Sequence, residues 1–194
     1  MVSLTDYAGL ADELVIDISG AQPGLLIREI NLAARELCRE TGVWRQELDA
    51  VETVDGQTEY VLDVSDYTAE IRWVEKVEVD GNEIHPTAWT YNRPGRKIVL
   101  ESEKEAGLDM VATVVLAPLR ESTGLPEHII EDYGHVIVAF AKSRLYAMPK
   151  RPWTDGQLAG YWKREKDRGI DDIKRDMIID GHEGDMIIET RFIV

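Results

Sequence analysis

The stretch Leu125 to Trp153, LPEHIIEDYGHVIVAFAKSRLYAMPKRPW, constrains the fold of this chain more than any other segment. Pro126 suits the first position of a helix, where its missing N–H costs nothing, and Glu127 suits the positive end of the helix dipole. Apolar residues then recur at Ile129, Ile130, Tyr133, Val136, Ile137, Phe140, Ala141, Leu145 and Met148, a wide stripe at helical spacing that Pro149 stops. At ~1.5 Å per residue such a helix is ~33 Å long, about the width of a small domain. Gly134 in its middle costs ~1 kcal/mol relative to Ala unless something packs closely on it, so a second helix is expected to cross there.

Leu4 to Ile18 is acidic, with patchy helical spacing at Leu4, Tyr7, Leu10 and Leu14, and predicts a first helix. A break at Gly20-Ala21-Gln22-Pro23 precedes a second, from about Pro23 to Thr41, with Leu26, Ile30, Ala33, Ala34 and Leu37 on one face and Gly42 as its C-terminal cap. From Val43 to Pro118 the period becomes alternating. Val51 to Val54 and Gln57 to Leu62 flank Asp55-Gly56 and predict a hairpin; Trp73 to Val79 and Asn82 to Ile84 flank Asp80-Gly81 and predict another. Two further strands are expected at Lys97 to Glu101 and Met110 to Ala117, joined across Gly107, with Tyr60, Trp73, Trp89 and Tyr91 available to pack a sheet face. Thr154 and Gln157 form a capping-box pattern for a last helix. Its stripe of Leu158, Tyr161, Trp162, Ile170, Ile173 and Met177 passes through a charged, solvated stretch from Lys163 to Arg168.

After Gly181-His182-Glu183-Gly184 the pattern alternates again, placing Met186, Ile188, Phe192 and Val194 on one face of a strand. Such a strand invites aggregation unless it pairs with its own β unit or with the edge of another subunit. The fold class expected from these signals is α+β: a helical bundle around one long central helix, with an inserted small antiparallel β unit and an extended C-terminal strand-like tail. All of it is expected to form one domain, with helical parts at about 1–42 and 125–180, a β insertion at about 43–118 and a tail at 181–194.

A chain of 194 residues, 44% hydrophobic and 30% charged, has the composition of a soluble globular protein with a real core. No apolar run approaches the ~20 residues that cross a bilayer, and the N-terminus has no signal-like core, so an intracellular or intravirion location is expected. Cys38 is the only cysteine, which excludes internal disulfides and cysteine zinc sites; its place in a helical pattern predicts a buried small apolar residue. The net charge of -15 argues against binding nucleic acid by phosphate neutralisation. It suits a conduit past which DNA must slide without sticking.

His128, Glu131, Asp132 and His135 fall at i, i+3, i+4 and i+7 on the central helix, a spacing at which imidazole and carboxylate can bind a divalent metal. No matching carboxylate motif is present on another helix, and a solvated helix face accounts for the same residues, so no metal or cofactor is expected. Nucleophile elbow, phosphate loop and H-E-x-x-H patterns are all missing, and no catalytic residue is assigned. Lys142, Arg144, Lys150 and Arg151 with Trp153 form the densest basic cluster, which the negative end of a helix dipole largely explains. Trp44 and Trp153 suit core plugs. From the residues alone the chain is a soluble domain with an exposed strand-like tail, built to be bound.

In their order, several segments resemble the head-to-tail adaptor (connector) proteins of tailed bacteriophages. The resemblance rests on Asn31-Leu32-Ala33-Ala34-Arg35-Glu36-Leu37-Cys38, Thr41-Gly42-Val43-Trp44, Gln57 to Leu62, Val79-Asp80-Gly81, Leu125-Pro126 and Met148-Pro149-Lys150-Arg151-Pro152-Trp153. It implies a structural virion protein, not an enzyme, that forms a dodecameric ring in the neck between head and tail after assembly in the host cytoplasm. Its partners would be the portal protein, a tail (nozzle or tube) protein and further copies of itself, with genomic DNA passing through the channel without specific binding. Met186, Ile188, Arg191, Phe192 and Val194 would then contact the portal or a neighbouring subunit. Two alternatives stand beside this reading: another neck or tail subunit, and a metal-dependent enzyme using the His128 to His135 face.

Overall fold

A computed structural model describes residues 4–64 and 68–180, the side chains of 178–180 excepted. Helix α2 (Pro23–Thr41) forms where its period predicts, with Leu26, Ile30, Ala33, Ala34 and Leu37 fully buried. Gly42 ends it in the left-handed conformation, φ 72°, its N–H donating to the carbonyl of Cys38. A Cβ there would lie 3.0 Å from the Trp73 ring, so space and φ both require glycine.

The expected N-terminal helix divides in two: strand β1 (Leu4–Asp6) and helix α1 (Ala8–Asp17). Tyr7 N donates to the carbonyl of Thr123, and Asp6 Oδ1 accepts from Ala8 N at 3.0 Å where the chain turns into α1. The opening residues leave the helical conformation because a distant strand accepts them. This strand, Gly124–Pro126, is the tenth in the chain and pairs antiparallel with β1, Leu4 opposite Pro126 and Asp6 opposite Gly124. Gly124 is needed for that approach, since a Cβ would sit 2.5 Å from the carbonyl oxygen of Thr5. Pro126 is consequently extended, ψ 137°, and precedes helix α3 (Glu127–Tyr146) as its cap, not as its first residue. Leu10 lies 3.1 Å from where a Cβ on Gly134 would be, so α1 makes the crossing expected there. Helix α4 (Gly156–Asp180) packs on α3 most closely at Gly169, where a Cβ would be 2.7 Å from Val136. Its N-terminal cap is Asp155, whose Oδ1 accepts from Gln157 N at 2.8 Å and Leu158 N at 3.0 Å. Thr154, the expected cap, instead closes the preceding turn by accepting from Arg151 N and donating to the Met148 carbonyl.

Between α2 and α3 run strands β2 (Arg45–Glu47), β3 (Val51–Glu52), β4 (Glu59–Val61), β5 (Ala69–Val79), β6 (Asn82–Glu83), β7 (Trp89–Asn92), β8 (Lys97–Leu100) and β9 (Asp109–Pro118), with Gly124–Pro126 as β10. The long antiparallel β5–β9 ladder is central to a sheet ordered β2-β9-β5-β6, with β3 also on β9. Asp80 and Gly81, φ 51° and 72°, make the predicted two-residue turn into β6. A second sheet is ordered β4-β8-β7. The hairpin predicted across Asp55-Gly56 does not form, because its two arms are claimed by different sheets: Val51 pairs with Met110, and Tyr60 with Ile98. Thr53 holds the first arm in place, its N–H donating to the Leu108 carbonyl and its hydroxyl to the Glu105 carbonyl at 2.5 Å. The strands flanking Gly107 likewise pair elsewhere, β8 with β4 and β7, β9 with β5 and β2.

This arrangement overturns the expectation of a helical bundle around one long central helix. Four helices are present among the described residues, and α3 is not the longest of them, at 20 residues against 25 for α4. Antiparallel sheets, partly curled into a half-barrel, carry about 26% of the chain. Register shifts after Ile71 and Val74 mark where the β5–β9 ladder bends. The physical reason lies in α2, which packs against β9 on one side and α3 on the other. A helix shared in this way makes the sheet a layer of the core. The buried residues of helices and sheets, Leu37, Trp44, Tyr60, Val114 and Phe140 among them, belong to one continuous cluster. The strand expected at Asp185 to Val194 lies outside the described residues.

Cys38 is fully buried as expected, and burial pushes its thiol up to about 12 from an ordinary value of 9.0. Below pH 9 the thiol is protonated in folded and unfolded chains alike. Above it the unfolded chain loses the proton first, so stability should fall between pH 9 and about 12, by at most ~1.4 kcal/mol per pH unit for this group. Urea midpoints at pH 7, 9 and 10.5 check this, and Cys38→Ala should flatten part of the decline.

Candidate interaction surfaces

His128, Glu131, Asp132 and His135 are all exposed on α3. Among the described residues no three His, Cys, Asp or Glu side chains are grouped to hold a metal ion, so helical spacing alone does not assemble that face into a site. The basic cluster near the end of α3 is taken apart by pairing. Lys142 is buried, its Nζ 2.6 Å from Asp17 Oδ2 and 4.3 Å from the Trp162 ring centre. Arg144 reaches into the core, its Nε 2.8 Å from Glu29 Oε2. Lys150 and Arg151 are on the surface without an ion pair among the described residues, Arg151 5.9 Å from the half-buried Trp153 ring. Trp44, 1% exposed, is a core plug as expected.

Apolar side chains reach the surface on two helices: Val15 and Ile16 on α1, the latter 81% exposed, and Leu158 and Tyr161 on α4. Singly, such positions are ordinary on any surface.

A strongly charged site arises where α2, β5 and the β7–β8 turn meet. Among the described residues, Glu70 is the one carboxylate in contact with three guanidinium groups: Arg72 at 3.2 Å, Arg35 at 3.5 Å and Arg93 at 3.7 Å. Burial lowers the pKa of Arg72, and the nearby charges of Arg39 and Arg93 lower it further. Beside Glu70 a cavity of about 450 Å³ opens, lined by Tyr91, Arg93 and Arg96 together with Ala69 and Ile71. The Tyr91 hydroxyl on the cavity wall, and the Nε atoms of Arg35 and Arg72 beside Glu70, are buried without a hydrogen-bond partner. Donors thus outnumber acceptors in a partly dry site, which is the chemistry of an anion-binding surface.

A family model for SU10 adaptor proteins matches residues 5–184, nearly the whole chain. The chain belongs to the SU10 adaptor protein family. It is therefore an adaptor of phage type, a structural protein associated with the virion. No curated protein matches it. No described helix is long and apolar enough to cross a membrane.

In this SU10 adaptor the basic residues that lie together in the sequence, Lys142, Arg144, Lys150 and Arg151, are separate from the arginines that pair with Glu70. The Arg35 and Arg39 pair, four apart on α2, was the available sequence signal for that second group. Arg72, Arg93 and Arg96 join it only through strand pairing, which no local spacing reports. The tail residues Met186, Ile188, Arg191, Phe192 and Val194 lie outside the described residues.

Proposed function

We propose that this chain is the ring-forming subunit that joins the portal of a tailed phage to its tail. The observation that carries it is the family match across residues 5–184, reinforced by the adaptor-like segment order of the sequence. In this reading twelve copies surround the DNA channel in the neck, one side of the ring docks on the portal, and the other receives the tail nozzle or tube. Copies that each carry a net charge of -15 keep the channel from holding DNA through its phosphates. The segment Asp185 to Val194, with Met186, Ile188, Arg191, Phe192 and Val194, makes the portal or neighbour contact by pairing with a strand edge.

Light scattering after size exclusion, on the chain alone and mixed with its phage's portal ring, tests this. A complex with about one chain per portal subunit is expected; a chain that never co-migrates with the portal overturns it. Deleting Asp185 to Val194 should abolish docking with the circular dichroism of the folded subunit unchanged, and normal docking by the truncated chain would remove the tail from the interface.

A further inference from the structure

The β5–β9 ladder has a basic end and an acidic end. Near the start of β5, Glu70 pairs with Arg35, Arg72 and Arg93, the charge of Arg39 acts on Arg72, and Arg93 and Arg96 line the cavity described above. Arg39 and Arg96 are exposed and make no ion pair among the described residues. At the far end Glu52 lies opposite Asp109 in register, Glu105 is tied in by its carbonyl to Thr53, and Asp80 bonds through its N–H to the Asp109 carbonyl. All four acids are exposed, and none has an ion-pair partner among the described residues. Ten residues of β5 at ~3.3 Å each separate the two ends by roughly 33 Å. That exceeds the Debye length of ~10 Å at 0.1 M salt, so each end presents its own sign to a neighbour even though the whole chain is acidic.

We propose that the arginine-lined cavity receives the acidic end of a second copy of this chain, in a head-to-tail contact. Guanidinium forks with free N–H groups, and a buried Tyr91 hydroxyl with none accepting from it, match carboxylate oxygens. A cavity of about 450 Å³ admits a few acidic side chains and not a double helix, and the net charge of -15 repels DNA from a distance. The same chain carries the complementary group, unpaired, at the opposite end of the same ladder. Contacts that join two different faces repeat from copy to copy and close into a ring when the rotation allows, whereas a face that meets itself stops at a dimer. The inference rests on the ring-forming reading above and names the faces that would meet.

Sedimentation of the full chain at ~0.1 M and ~1 M salt tests it, using charge reversals at each end. The wild-type chain should associate with rising concentration at the lower salt and return to monomer at the higher. Arg39→Glu with Arg93→Glu should stay monomeric, as should Glu105→Lys with Asp109→Lys, each with an unchanged circular dichroism spectrum. Mixing the two variants should restore association, since one chain then offers acidic groups at both ends and the other basic groups at both ends. All four changes in one chain, which keep the net charge at -15, should restore association. A wild-type chain that is monomeric at ~0.1 M salt, association indifferent to both reversals, or a monomer that retains duplex DNA through Arg39 and Arg93 would each overturn the proposal. Portal co-migration is scored separately, so a chain that associates as described but ignores the portal would refute the neck assignment and leave this contact standing.

Discussion

Phe140→Ala should lower the unfolding free energy by about 3–5 kcal/mol, the range for removing a buried aromatic side chain. Phe140 is 1% exposed, lies on α3 and belongs to the cluster shared by helices and sheets, so the void cannot be filled by a small shift of one element. Its ring also carries Lys166 Nζ of α4 at 4.4 Å from the centroid, a contact that the truncation removes together with the apolar area. Domains of this size have total stabilities of about 5–15 kcal/mol, so the variant should unfold at a much lower urea midpoint. Phe140→Leu, which keeps most of the volume, should recover more than half of the loss. A shift below ~1 kcal/mol for the alanine variant would mean that α3 is not packed as described.

Arg144→Ala is the second large effect expected, about 2–4 kcal/mol, from stranding a buried charge. The Glu29 side chain is 1% exposed, its Oε2 held by Arg144 Nε at 2.8 Å and its Oε1 by Arg28 at 3.0 Å. Arg28 is 67% exposed and cannot by itself replace what the carboxylate loses in hydration. The further contact from Arg144 to Glu36, 3.8 Å between groups each 42% exposed, contributes little. Glu29→Gln in the same chain removes the stranded charge and should recover at least half of the loss. A double-mutant cycle measured by urea unfolding gives the coupling, and a value near zero would show that the pair is not part of the core.

Much of the local structure was legible because it is set by neighbours in sequence. α2 from Pro23 to Thr41, its Gly42 cap and the Asp80-Gly81 turn depend on periodicity and backbone conformation within a few residues. The crossing at Gly134 was also legible, since a mid-helix glycine implies a close neighbour; that the neighbour is Leu10 of α1 was not. Errors fall where a distant partner outbids a local preference. Leu4 to Asp6 abandons its helical pattern for β10, and Thr53 is captured by the segment around Glu105 to Leu108, which takes Val51-Glu52 away from the hairpin.

The sequence by itself determined the positions of most helices and strands, the burial of Cys38 and Trp44, the acidic character of the chain and, through the order of its segments, the adaptor family. Only the tertiary structure decided that the sheets form a layer of the core and that α1 begins after a strand. It also gathered Arg35, Arg39, Arg72, Arg93 and Arg96 at one end of the β5–β9 ladder, with Glu52, Asp80, Glu105 and Asp109 at the other. Periodicity reports which face of an element is apolar, a property of residues two to four apart. Which elements share that face, and which charges their ends bring together, depends on pairings across 50 or more residues, such as Thr53 with Glu105, that no local pattern encodes.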